Sequence, residues 1–185
     1  MENSFFELSP PEERWRSESC FGLRDPGDGL VACSVDAQCG DIKGVHAVVL
    51  MTSGELRFAP IDHNPRYDAI APANEPRCDG MVYSRTKRSV VFVELKDRKD
   101  ASKNRRKWKA SAIAQLRQTV IRFKAIELEA DALVPSFHFA VAANKQSKYA
   151  AEYVTAARSR AFFMDEATFG FRLSISNTIS LGDVL

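Results

Sequence analysis

The chain has 185 residues, 45% of them apolar and 27% charged, which suits one domain with a full core and excludes both wholesale disorder and two comfortable domains. No apolar run can span a bilayer, and Met1 to Glu7 lacks the basic start and long apolar core of a secretory signal, so a cytoplasmic protein with no membrane partner is the expectation. The net charge of +2 hides a local excess: eleven of the 26 Lys and Arg fall between Arg85 and Lys109, against three of the 24 acids. Cys20, Cys33, Cys39 and Cys78 contain no Cys-x-x-Cys pair, so four reduced thiols are expected rather than a zinc ribbon or a thioredoxin-like site.

Taken from the amino end, Phe5 to Trp15 reads as a short helix, with Ser9 as cap, Pro10 and Pro11 in the first turn, and Glu12 and Glu13 complementing the dipole. Phe21 to Gly44 is rich in Gly and Asp, which is loop chemistry around at most one strand near Leu30 to Val35. Val45 to Met51 and Glu55 to Pro60 flank Ser53-Gly54 and read as a β-hairpin. His46 falls inside it as a strand histidine, because no second ligand accompanies it at useful spacing. Asp62 to Pro76 is a long Pro-, Asn- and Ala-containing loop of the kind that shapes binding sites. Within it, Asp62-His63 raises the histidine-based ββα-metal nuclease pattern, which lacks its second half here because the next histidine is His138.

The polar groups that packing alone does not explain lie between Arg77 and Asp97. Val90-Val91-Phe92-Val93 is short, apolar and β-branched, which predicts a strand buried on both faces. With a side-chain period of two, Glu94 and Lys96 follow Val90 and Phe92 on one face, while Val91, Val93 and Leu95 take the other. Cys78 to Tyr83 reads as a second strand, and Ser84 to Ser89 is short enough to return the chain antiparallel and bring Asp79 near Glu94. Two carboxylates at the end of a strand pair repel unless a cation lies between them, and oxygen ligands suit Mg2+ or Mn2+. An acid two residues before a lysine also occurs at Asp41-Ile42-Lys43 and Asp97-Arg98-Lys99, but no buried strand leads into either.

Asp79 followed by Glu94-Leu95-Lys96 resembles the Asp, then Glu-x-Lys, signature of the PD-(D/E)xK nuclease superfamily, although Arg77 and Cys78 stand where that family's leading proline would be. The resemblance covers about residues 45–143. It implies a restriction-endonuclease-like αβββαβ core, with Asp79, Glu94 and the Leu95 carbonyl on the metal and Lys96 assisting hydrolysis. It also implies a glutamine near the site on the next helix, which Gln115 matches, and in some branches a further acid from the first helix, for which Glu12, Glu13 and Glu18 are candidates. Thr119 stands where exonuclease-like branches carry a tyrosine. Asp68 is the fallback for the first acid.

Beyond the motif, Lys109 to Ala130 has no Pro or Gly and places Ile113, Leu116, Val120 and Phe123 at helical spacing. Pro135 to Ala143 reads as a returning strand, parallel to a motif strand because a helix intervenes. Lys148 to Arg160 reads as a second helix and Phe169 to Ile175 as a final strand. The whole is a single α/β domain, a mixed sheet flanked by helices. The functional expectation is Mg2+- or Mn2+-dependent hydrolysis of nucleic acid, DNA before RNA, in repair, restriction or phage defence. Arg98, Lys99, Lys103, Arg105, Arg106 and Lys107 would grip phosphates, and self-association or a partner protein would supply specificity. From a different class, the same fold would serve as an inactive nucleic-acid-binding or assembly subunit.

Overall fold

In the computed structural model the run centred on Val90 to Val93 extends from Ser89 to Lys96 and forms the middle of a five-stranded sheet. The structure describes residues 4–10, 13, 16–17, 20–27, 29–35, 45–50, 54–72, 74–84, 89–96, 105–127, 137–144, 172–175 and 178–180. For 89, 105–109, 137–144, 172–175, 178 and 180 it describes the backbone course alone. The chain order is a 3-10 turn at Phe5–Glu7, β1 (Cys20–Arg24), β2 (Cys33–Val35), β3 (Ala47–Leu50), β4 (Arg57–Pro60), α1 (Pro65–Asp68), β5 (Gly80–Ser84), β6 (Ser89–Lys96), α2 (Arg105–Glu127), β7 (Phe137–Asn144), β8 (Arg172–Ile175) and β9 (Thr178–Ser180).

The main sheet runs β4-β5-β6-β7-β8, and its polarity changes at β6. The pairs β4–β5 and β5–β6 are antiparallel, whereas β6–β7 and β7–β8 are parallel. The switch follows from the connections: a short turn can only reverse the chain, while α2 carries it back to start β7 in the same direction as β6. A second sheet, β2-β1-β3-β9, is antiparallel except for the β3–β9 pair.

Alternation along β6 sorts the two faces. Val90 and Phe92 join Met81, Tyr83, Phe5, Leu8, Leu116, Val120 and Phe123 in a core under α2. Val91, Val93 and Leu95 join Phe58, Val82, Phe21, Leu23, Val49 and Ile179 between the two sheets. Every residue from Val90 to Leu95 is at most 2% exposed, so β6 is covered on both faces. On the α2 side Phe5, Phe92 and Phe123 meet edge to face with centroids 5.3 to 6.1 Å apart, a geometry their ring quadrupoles favour. Glu127, near the end of α2, accepts the Phe5 N–H at 2.5 Å and the Ser4 hydroxyl at 3.0 Å, which pins the amino-terminal turn to the helix.

Several expectations need correction. The segments around Ser53-Gly54 do not pair as a hairpin: β3 pairs with β1 and β9, and β4 with β5. Val49 and Phe58 instead belong to the buried cluster between the two sheets, each contributed by a different sheet, an arrangement that the same alternation permits. Among the described residues of 21–44 there are two strands and not one, because Cys20–Arg24 forms β1 ahead of β2. No α-helix starts at Ser9. Ser4 caps the 3-10 turn, the Ser9 hydroxyl donates to the Phe58 carbonyl at 2.8 Å, and Arg16 makes a β-bridge to Leu56. The loop from Asp62 contains the one-turn α1, capped by the Asn64 side chain with Pro65 in its first turn. On α2 the buried stripe is Ala112, Leu116, Val120 and Phe123, with Ile113 only half-buried. Cys20 is disulfide-bonded, against the expectation of four reduced thiols, while Cys33 and Cys78 are free; sequence spacing does not report which thiols meet in space. Among the described residues no helix is long and apolar enough to cross a membrane. The expected helix Lys148 to Arg160 lies outside the described residues.

Candidate functional site

The β5–β6 ladder ends at the pair Gly80↔Val93, and one step further would set Asp79 opposite Glu94. There the ladder gives way to a side-chain bond: the Leu95 N–H donates to Asp79 Oδ2. On its other side Asp79 is held through its backbone carbonyl, which accepts the Ile61 N–H at 2.9 Å. Gly80 makes this close approach possible, since a Cβ there would come within 2.5 Å of Phe58 Cζ and 3.1 Å of the Ala59 carbonyl.

Glu94 and Lys96 follow Phe92 onto the α2 face. Glu94 is fully buried and Lys96 Nζ forms an ion pair with its Oε1. Lys96 Nζ also donates to Gln115 Oε1 at 3.2 Å, and Gln115 Nε2 donates to the Arg77 carbonyl at 3.0 Å. One helical turn on, Thr119 Oγ1 accepts the Cys78 N–H at 2.9 Å and donates to the Gln115 carbonyl at 3.0 Å. Gln115 and Thr119, spaced i and i+4 on α2, thus grip the two polar groups of the Arg77–Cys78 peptide immediately ahead of Asp79. The helix thereby fixes the height of Asp79 against Glu94. Sequence reasoning singled out Gln115 but missed this part for Thr119; a buried hydroxyl inside an apolar stripe was the available signal.

The two carboxylates are held where charge is expensive. Burial, followed by the neighbouring Asp79, pushes the Glu94 carboxyl up to about 9, with Lys96 opposing. Burial likewise pushes Asp79 up to about 7 against the lowering effect of the Leu95 N–H and of Lys96, while Asp25 and Asp62 add negative potential. Glu94 Oε1 is held by Lys96, while Oε2 has no hydrogen-bond donor among the described residues. A buried carboxylate left so, beside a second one, fits a small oxygen-seeking cation. Among the described residues no three His, Cys, Asp or Glu side chains converge to hold a metal by themselves. Two carboxylates completed by a carbonyl, waters and substrate oxygens is the donor set that Mg2+ accepts.

Beside this pair opens a groove of about 390 Å³ whose lining includes Gln115, Arg77, Asp62, Asp68 and Glu75. Arg77 pairs with Asp68 at 2.5 Å and lies over the Tyr67 ring at 4.9 Å. Arg122 grips both Glu75 oxygens at 2.5 and 3.1 Å, which holds the Glu75 carboxyl below its usual range. Asp62 accepts the His63 N–H at 3.0 Å, and His63 adopts φ 54°, left-handed backbone that is rare for a residue with a side chain.

Asp79, Glu94, Lys96 and Gln115 are therefore brought together, and Leu95 is fixed between them. Of the candidate upstream acids, Glu13 is committed to Arg16 at 3.0 Å and Ser34 at 2.6 Å, and Glu12 and Glu18 lie outside the described residues. Asp68, the fallback acid, lies in the groove on Arg77 and not at the strand end. His46 is a buried residue preceding β3, its Nδ1 accepting the Asp25 N–H at 3.2 Å. Arg98, Lys99 and Lys103 lie outside the described residues, while Arg105, Arg106 and Lys107 form the first turn of α2, with backbone course alone described. Comparison with protein-family models, curated proteins and solved structures returns no match.

Proposed function

We propose that the chain is a metal-dependent nuclease that hydrolyses phosphodiester bonds, DNA before RNA, with Asp79, Glu94 and Lys96 as its reactive groups. One observation carries the reading: a fully buried glutamate, with Lys96 on one oxygen and no hydrogen-bond donor on the other among the described residues, stands beside an aspartate at the end of two paired strands. The order β4, β5, β6, α2, β7 supports it, since three antiparallel strands, a helix and a parallel strand follow the βββαβ course of the PD-(D/E)xK resemblance. The leading helix of that core has no counterpart in the 3-10 turn at Phe5–Glu7.

Asp79 and Glu94 would hold Mg2+ or Mn2+ with the Leu95 carbonyl. When bound, such an ion supplies Lewis-acid charge to a phosphate and lowers the pKa of an attacking water. Lys96, 17% exposed at its side chain, reaches solvent while Gln115 restrains its amine, so it can hydrogen-bond a phosphate oxygen and stabilise the negative charge that grows during attack. Thr119 and Gln115 keep the Asp79 strand at its height. The basic residues from Arg98 to Lys107 would hold the flanking backbone, and recognition beyond that would come from self-association or a partner protein.

Purified protein should cut DNA with Mg2+ and not with chelator; Glu94→Ala should abolish cutting and Lys96→Ala should lower it about 10²–10³-fold, both with the fold intact. Unchanged cleavage in both variants would reject the site. A second reading, an inactive nucleic-acid-binding or assembly subunit, is favoured by the Lys96 amine already pairing with one of the two Glu94 oxygens, which supplies a positive charge where a cation would sit. It expects salt-sensitive DNA binding without hydrolysis.

A further inference from the structure

The groove that shares Gln115 and Arg77 with the reactive site carries more carboxylates than cations on its lining. It adjoins the reactive site through Gln115, whose side-chain oxygen restrains Lys96 from one side while the residue lines the groove on the other. Three carboxylates, on Asp62, Asp68 and Glu75, line it against the guanidinium of Arg77 and the imidazole of His63. Asp68 closes on Arg77 and Glu75 on Arg122, each at 2.5 Å, so the nearby guanidinium charge is already committed to carboxylates. A phosphate entering here would face acceptors. Asp62 already takes the His63 N–H at 3.0 Å and faces its Nε2 at 3.3 Å, and Asp68 takes Arg77 on one oxygen, yet an ionised carboxylate accepts several hydrogen bonds and the two side chains are 33% and 49% exposed, so a neutral ligand that brings N–H donors would be matched. The volume of about 390 Å³ falls within the range of small-ligand sites.

Resting on the nuclease reading, we propose that this groove receives one unpaired base next to the scissile phosphate and selects bases with an exocyclic amine, which Asp62 and Asp68 accept. Adenine, cytosine and guanine carry that amine. Thymine and uracil lack the amine and carry a single N3–H between two carbonyl oxygens, which the carboxylates repel. The base must be out of the duplex, since its Watson–Crick edge is otherwise occupied.

The test is Mg2+-dependent cleavage of single-stranded oligonucleotides identical except at the position beside the cut, carrying adenine, cytosine, thymine or an abasic site. The expected result is that kcat/KM falls about tenfold or more from cytosine to thymine, with the abasic strand also poor. Asp62→Asn with Asp68→Asn should compress that ratio to about twofold or less, because a carboxamide can also donate to a carbonyl. The readout is a ratio, so a general loss of rate in the variant does not imitate the effect. Wild-type protein that cuts all four strands alike would overturn the base groove and leave the hydrolytic reading standing. A wild-type preference that survives unchanged in the variant would overturn the roles of Asp62 and Asp68. Failure to cut any strand would overturn the hydrolytic reading and this one with it.

Discussion

Glu94→Gln should make the metal-free protein more stable at neutral and alkaline pH while abolishing its activity. Glu94 titrates near 4.5 in the unfolded chain and is pushed up to about 9 by burial and Asp79 in the fold. Its folded pKa is raised, so its contribution is fully present below pH 4.5 and is lost as pH climbs towards 9. At pH 7 the folded protein must hold a proton that the unfolded chain has released across about 2.5 pH units, at about 1.4 kcal/mol each, a cost of about 3 to 4 kcal/mol. Glutamine removes that cost but brings an amide with no assured partner, which takes back about 1–3 kcal/mol. A net gain of about 1 kcal/mol at pH 7 remains, growing by about 1.4 kcal/mol per pH unit towards pH 9. Urea unfolding of both proteins in chelator at pH 5, 7 and 8.5 measures it. Added Mg2+ should then stabilise wild type and leave Glu94→Gln unmoved. A variant less stable than wild type at pH 8.5, or a gap that does not widen with pH, would refute the reasoning.

Lys96→Ala should lower single-turnover cleavage about 10²–10³-fold with an unchanged circular dichroism spectrum, the loss typical of removing one group that stabilises transition-state charge. Thr119→Val strands the Cys78 N–H and should cost about 1–3 kcal/mol in urea unfolding and raise the Mg2+ concentration for half-maximal rate, with Thr119→Ser restoring both. Gly80→Ala drives a Cβ into Phe58 and the Ala59 carbonyl and should destabilise by about 1–3 kcal/mol, read as a lowered melting temperature. Arg105→Glu with Arg106→Glu should weaken DNA binding and reduce the slope of log affinity against log salt by about two, as measured by fluorescence anisotropy.

The central strand was legible because three signals agreed on it. β-branched residues, a period of two and charges only after Phe92 all placed Glu94 and Lys96 on one face, and Val91, Val93 and Leu95 on the other. The parallel return of β7 followed from the helix before it. Pairing partners chosen over distance were not legible. Val45 to Pro60 alternates as a hairpin would, yet Val49 and Phe58 enter the shared core from two different sheets, which the same alternation allows. The grip of Thr119 on the Cys78 N–H joins residues far apart in sequence, so the hydroxyl inside the apolar stripe marks Thr119 but does not name its partner. Ala112 displaced Ile113 from the buried face because the stripe was phased on side-chain size and not on the direction that α2 presents to the sheet. The cysteine forecast failed similarly, since thiol pairing depends on where the strands come to lie.

The buried carboxylates can be interrogated without any nucleic acid. Crystals grown metal-free and soaked in Mn2+ should give an anomalous difference peak between the Asp79 and Glu94 carboxylates, with Lys96 swung off Glu94, and no such peak in Glu94→Gln crystals. A wild-type soak that leaves the Glu94–Lys96 pair closed and the space between the two acids empty would remove the cation site and the hydrolytic chemistry built on it.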